Sequence, residues 1–159
     1  MLLFLDFDGT LHPLWTFERA EDGVIALPYA GPWLLEAPAL ERILQPYLHG
    51  IEIVLSTAWA QTRGLQAARG MLPAAIAERV TESIWLPELA MDYRASRCTR
   101  YACIQMWLER RRPGYAGPWL ALDDDDELWP ADQKHRLVHA LGTLADIRVQ
   151  RELAEKLAS

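Results

Sequence analysis

The sequence contains very little lysine. Only Lys134 and Lys156 occur among 159 residues, and arginine supplies nearly all of the positive charge. A catalytic cation in the middle of the chain must therefore be an arginine. The formal net charge of −6 gives an overall field that repels nucleic acid, although a local basic strip can still bind it. Nucleic-acid binding is disfavoured but not excluded.

Long hydrophobic runs and a cysteine framework are also missing. No apolar run approaches the roughly 20 residues of a membrane-spanning helix, and the N-terminal sequence MLLFLDFDG has no basic segment typical of a signal peptide. Cys98 and Cys103 have a spacing that matches no common zinc or redox motif. We therefore expect a cytoplasmic protein with two reduced thiols and no membrane partner. The length favours one domain over residues 1–159.

Apolar segments that do not alternate with polar residues are interspersed with helical patterns. This order predicts an α/β domain with a parallel sheet, in which ligands bind beyond the carboxyl ends of the strands. Residues 9–32 are irregular and predict a turn followed by a β-hairpin or flap. Strands are predicted at 2–5, 51–57, 80–85, the run ending at Asp123, and 145–149; helices at 38–49, 59–72, 100–112, 130–144 and 150–158.

Two carboxylates, Asp6 and Asp8, follow the first strand. If the strand geometry continues, their side chains point to the same side, about 6 to 7 Å apart along the backbone. Converging carboxylates repel each other unless a cation or a proton lies between them, so such pairs mark metal sites or acid/base pairs. Gly9 lets the chain turn sharply and lets a ligand approach the backbone.

Polar residues follow two further apolar runs. In IEIVLST the hydroxyl of Thr57, or of Ser56, is able either to donate to a phosphoryl oxygen or to cap the next helix. The run PWLAL is followed by Asp123 and Asp124, and then by two more acids at 125 and 126 that we interpret as a solvated loop. Four adjacent acids repel strongly without a cation, which supports metal binding.

The string DFDGTL behind an apolar strand resembles the first motif, DxDGT, of the haloacid dehalogenase-like (HAD) superfamily. Its three further motifs have counterparts in the expected order, so the resemblance spans about residues 2–129. The second motif matches Thr57, with Ser56 as the alternative. The third, usually a lysine, matches Arg100, with Arg94 and Arg97 as competitors. The fourth matches Asp123 and Asp124.

This resemblance implies a Rossmann-like three-layer domain of the small uncapped type. Because Asp8 is present, it implies phosphoryl transfer rather than dehalogenation, by a Mg²⁺-dependent phosphatase or phosphotransferase that forms an aspartyl-phosphate. The implied catalytic roles are Asp6 as nucleophile, Asp8 as acid and base, and Thr57 and Arg100 on the phosphoryl group, with Gly9 and Ser56 near the substrate. The implied Mg²⁺ ligands are Asp6, a backbone carbonyl near Asp8, Asp124, and Asp123 either directly or through water.

The insertions that carry caps in this superfamily are small here. Residues 11–37 are only flap-sized, and residues 60–95 are mostly scaffold, so we expect an open site that admits a small molecule, a phosphoprotein or a nucleic-acid end. VLSTAW and LALDDDDELW look like small uncapped domains linked with RNA-repair phosphatases. His12 and Trp15 are interpreted as a surface histidine and a packed tryptophan, with a place at the entrance as the alternative.

Two other functions are compatible with the sequence. The first is a module that binds a phosphorylated ligand without turnover. The second is a protein-interaction module whose tryptophans form the interface. The presence of Asp8 beside Asp6 argues against the first, because a binding module does not need an acid/base residue.

Overall fold

The computed structural model describes residues 1–20, 23–95 and 98–159. Its centre is a five-stranded, all-parallel sheet in the order β5-β4-β1-β6-β7. The predicted α/β architecture with a central parallel sheet is confirmed. The strands of the sheet are β1 (Leu2–Leu5), β4 (Glu52–Leu55), β5 (Val80–Ser83), β6 (Trp119–Asp123) and β7 (Leu137–His139).

Helices cover both faces of the sheet, which makes the domain three-layered and Rossmann-like. Successive residues of the central strand β1 alternate between two cores: Leu3 packs on one side, and Phe4 packs against Trp107 on the other. A strand buried on both faces is apolar at every position, as observed. The helices are α1 (Ala37–Leu44), α2 (Ala58–Arg63), α3 (Leu65–Arg69), α4 (Ala74–Ala77), α5 (Ala90–Ala95), α6 (Arg100–Arg111) and α7 (Ile147–Ala158).

The predicted flap after the first strand is an antiparallel hairpin. It consists of β2 (Trp15–Ala20) and β3 (Gly23–Pro28), which pair with each other in a separate two-stranded sheet. Between β4 and α6 the described chain forms short helices and β5 rather than a separate cap. In the described ranges no large cap covers the carboxyl edge of the sheet.

Two sequence predictions near the C-terminal end are wrong. Residues 130–144 do not form one helix: Ala131–Arg136 is a 3₁₀ helix, and the chain then enters β7. The buried side chains of β7 fill the sheet edge beside β6, so strand pairing outweighs the local helical pattern. Residues 145–149 are not a strand, because Asp146 caps α7 by accepting a hydrogen bond from the Arg148 backbone N–H at 2.8 Å.

Two predicted helices are shorter than expected. The helix expected over 38–49 continues as a 3₁₀ helix (Gln45–Gly50) after α1, and the helix expected over 59–72 breaks at Gly64 between α2 and α3.

The prediction of two reduced thiols is wrong, because Cys98 and Cys103 form a disulfide. No helix in the described parts of the chain is long and apolar enough to cross a membrane.

Candidate active site

The polar residues predicted from four motifs meet at the carboxyl edge of the sheet. Asp6 follows β1, Ser56 and Thr57 follow β4, and Asp123 ends β6. All four are buried, although they are polar. They converge because β4 and β6 are the parallel neighbours of β1 on its two sides.

Three carboxylates form a compact cluster there. Asp6, Asp123 and Asp124 each offer an oxygen, and these oxygens lie within 4.8 Å of one another. Gly9 makes the cluster possible: its φ is +72°, and a Cβ at this position would overlap Asp124 Oδ2 and lie 2.5 Å from its Cγ. The carboxylate of Asp8 is not part of the cluster.

Arg100, the first residue of α6, is the cation that contacts the cluster. Its Nη2 donates to Asp6 Oδ1 at 3.2 Å, its Nη1 donates to the carbonyl oxygen of Ser56, and its Nε lies 2.7 Å from Asp123 Oδ2 without hydrogen-bond geometry. Thr99 caps α6 by accepting from the Ala102 N–H and so fixes where the helix begins. Arg97 and the side chain of Arg94, the other candidates for this role, lie outside the described residues.

The electrostatics of the site are dominated by burial and by the proximity of like charges. Burial and the neighbouring Asp123 raise the pKa of Asp6 well above its ordinary value, and Arg100 only partly offsets this. Burial likewise raises the pKa of Asp123 to about 6 and raises that of Asp124. Burial alone would lower the pKa of Arg100, but Asp123 and Asp6 outweigh it, so that pKa is raised. The cluster holds more negative charge than one arginine balances.

The two hydroxyl residues after β4 have different partners. Ser56 donates from Oγ to Asp123 Oδ2 at 3.3 Å, so its proton is used within the cluster. Thr57 accepts from the Trp59 backbone N–H at 3.3 Å and caps α2, while its hydroxyl proton remains able to donate elsewhere. The predicted capping role of Thr57 therefore exists, and it is compatible with a bond to a phosphoryl oxygen.

Asp8 has a separate set of partners that the sequence analysis missed. His12 Nε2 lies 3.0 Å from Asp8 Oδ1, and Trp59 Nε1 donates to Asp8 Oδ2 at 2.8 Å. His12 is 0 % exposed whereas Trp15 is 51 % exposed, so both were misjudged as a surface histidine and a packed tryptophan. The four-residue spacing of Asp8 and His12, and the position of Trp59 beside Thr57, were the available signals.

The acidic cluster suits a divalent cation of the Mg²⁺ type. Mg²⁺ prefers oxygen ligands, retains several waters and needs only one or two carboxylates besides its substrate. Asp6, Asp123 and Asp124 supply oxygens and no sulfur or imidazole, and the uncompensated charge described above is what such a cation would neutralise. These three residues would hold the ion.

The fold and this constellation define the chain as a small domain of the HAD superfamily. A family model described as "HAD domain in Swiss Army Knife RNA repair proteins" matches residues 2–144. The chain therefore belongs to that family. No curated protein and no solved structure matches it.

Proposed function

We propose that this protein is a Mg²⁺-dependent phosphohydrolase that works through an aspartyl-phosphate on Asp6. One observation carries the proposal: the buried Asp6 contacts Arg100 and lies within the acidic cluster, while Asp8, two residues later, has a partly exposed carboxylate outside it. A nucleophile and an acid/base residue need these two different environments.

The reaction divides into two displacements. In the first, an Asp6 carboxylate oxygen attacks phosphorus, the bond to the leaving oxygen breaks, and Asp8 gives that oxygen a proton. In the second, water attacks phosphorus, Asp8 takes the water's proton, and the bond to Asp6 breaks to release inorganic phosphate. Arg100 and the Thr57 hydroxyl stabilise the phosphoryl oxygens. Bound Mg²⁺ supplies further neutralisation of phosphoryl charge.

For the substrate we propose a phosphate ester at the end of an RNA strand. The family description supports this class, and no large cap covers the carboxyl edge of the sheet in the described ranges. Trp15 in the flap and Trp33, five residues after it, are 51 % and 47 % exposed, and exposed aromatic rings are suited to stacking on bases. The net charge of −6 means that such contacts would have to be local.

Phosphate release by the wild type and by Asp6→Asn tests this function. The substrates are an aryl phosphate and oligoribonucleotides with a 5′- or 3′-phosphate, each with Mg²⁺ and with EDTA. We expect Mg²⁺-dependent release that falls by about 10³-fold or more in Asp6→Asn. Asp132→Asn, an exposed aspartate, is the matched control and should retain activity.

Two results would contradict the proposal. Release that persists in Asp6→Asn would remove the nucleophile assignment. A wild type that binds phosphorylated RNA but releases no phosphate from any of the esters would instead indicate a binding module without turnover.

A further inference from the structure

We infer that His12 and Trp59 are positioning residues that together hold the Asp8 carboxylate in one orientation for proton transfer. This inference rests on the proposed phosphohydrolase function. The observation behind it is that both oxygens of Asp8 are engaged by ring nitrogens, at 3.0 Å for Oδ1 and 2.8 Å for Oδ2.

Asp8 needs such support because its own surroundings are open. Its side chain is 34 % exposed, and it sits on the turn after β1 rather than inside the strand. A free aspartate at such a position exchanges between staggered rotamers, and only some of them aim an oxygen at a reacting group. Two donors from different segments select one rotamer and one tilt of the carboxylate plane.

His12 is itself held rigidly. Its Nδ1 accepts from the Leu34 backbone N–H at 3.4 Å, so Nε2 carries the ring proton and donates it to Asp8. The aromatic rings of Trp33 and Trp59 contact the imidazole with centroids at 5.1 and 6.0 Å. A fully buried imidazole is costly unless its nitrogens are paired, and here both nitrogens are used.

Trp59 is held from three directions. Its backbone N–H donates to Thr57 Oγ1, its ring lies edge-on to Phe7 at 6.4 Å, and the Arg63 guanidinium lies 4.2 Å from the ring centroid. One residue therefore connects two parts of the proposed machinery, the hydroxyl of Thr57 and the carboxylate of Asp8. Thr57 and Trp59 both belong to the capped first turn of α2, so the helix geometry sets the separation between Thr57 and the Trp59 indole.

The test compares variants that remove a donor with variants that keep one. Trp59→Phe removes only the indole N–H and part of the ring, and His12→Leu removes the imidazole. His12→Gln retains an N–H at nearly the position of Nε2. Trp129→Phe is the control, because Trp129 is also buried and donates its indole N–H to the Gln133 carbonyl instead.

The kinetic readout is kcat/KM on an alkyl phosphate and on an aryl phosphate, because this constant reports the first displacement and not the hydrolysis of the intermediate that both esters share. An alkoxide leaves poorly without a proton, whereas an aryl oxide leaves readily, so loss of a well-placed acid affects the alkyl ester more. We expect Trp59→Phe and His12→Leu to lower kcat/KM on the alkyl ester between about 10- and 100-fold, and to lower it less on the aryl ester. Asp8→Asn should show the same bias, His12→Gln should recover most of the rate, and Trp129→Phe should match the wild type.

A second readout does not depend on turnover. In ¹H–¹⁵N spectra the indole resonance of Trp59, identified by its loss in Trp59→Phe, should shift in Asp8→Asn and in His12→Leu, and less in His12→Gln. An unchanged resonance in Asp8→Asn would refute the hydrogen bond itself. A wild type that releases no phosphate would refute the proposed function, whereas an active wild type whose variants all keep the same alkyl-to-aryl ratio would refute only the positioning role.

Discussion

Replacing Gly9 by alanine should damage the acidic cluster more than the fold. Gly9 has φ +72°, where an L-residue with a Cβ is disfavoured by about 1–2 kcal/mol. The new Cβ would also overlap Asp124 Oδ2, so the Asp124 side chain has to move away from the oxygens of Asp6 and Asp123. A displacement that separates these oxygens removes one carboxylate from the proposed Mg²⁺ site.

A matched glycine separates the backbone cost from the displacement of Asp124. Gly114 has φ +74°, but a Cβ there meets no atom within 4 Å. Gly114→Ala should therefore lower the free energy of unfolding by about 1–2 kcal/mol and leave Mg²⁺ binding unchanged. Gly9→Ala should lower the free energy of unfolding by at least as much. It should also weaken Mg²⁺ binding by about 10-fold or more, because the Asp124 carboxylate is displaced from the site.

Urea unfolding in EDTA and Mg²⁺ calorimetry measure the two quantities on the same three proteins. Mg²⁺ binding by Gly9→Ala as tight as that of the wild type would refute this prediction. It would mean either that Asp124 is not a Mg²⁺ ligand or that a Cβ at residue 9 does not displace it. Equal losses of Mg²⁺ affinity in both variants would also refute it, since Gly114 does not touch the cluster.

Two further predictions concern charge balance. Arg100→Met should lower the free energy of unfolding at pH 7 in EDTA by about 3 kcal/mol or more, because it leaves buried carboxylates without their cation. The control Lys134→Met breaks an exposed pair with Asp126 and should cost less than about 1 kcal/mol. Equal costs of the two variants in urea unfolding would contradict the role of Arg100 as the cation of the buried cluster. The metal-free protein should also lose stability as pH rises from about 4 to about 6, because the raised pKa of Asp123 lets the folded state keep that proton at a pH where the unfolded state has lost it. The loss amounts to about 1.4 kcal/mol per unit of pKa shift, and Mg²⁺ should reverse it. The pH slope should be smaller in Asp123→Asn, and an identical slope in that variant would contradict the prediction.

The short buried strands were predictable because their signal is local. Leu2–Leu5 is apolar throughout, Glu52–Leu55 is apolar and buried after its first residue, and a polar residue follows each strand. Strands buried on both faces favour that pattern. The order of the acids and hydroxyls behind these strands was likewise enough to predict which edge of the sheet they share. Both conclusions use only chain order and the geometry of a parallel sheet.

The errors arose where a distant partner outweighs the local pattern. Residues 130–144 have helical spacing, but Leu137 and Val138 pair with β6 and become a strand. His12 is in an irregular stretch, where no strand or helix pattern indicates which side chains are buried. The ring contacts from Trp33 and Trp59 that enclose it exist only after the segment that follows the flap has packed against α2.

The sequence by itself determined the class of fold, the chain order of the acidic motifs and the residue types available for catalysis, because these follow from apolar runs and from what stands at their ends. The tertiary structure alone decided that Arg100 reaches Asp6, across a separation of 94 residues, and that His12 and Trp59 meet on the two oxygens of Asp8. Side-chain contacts of this kind depend on where α2 and α6 pack against the sheet, and that packing is a property of the whole chain.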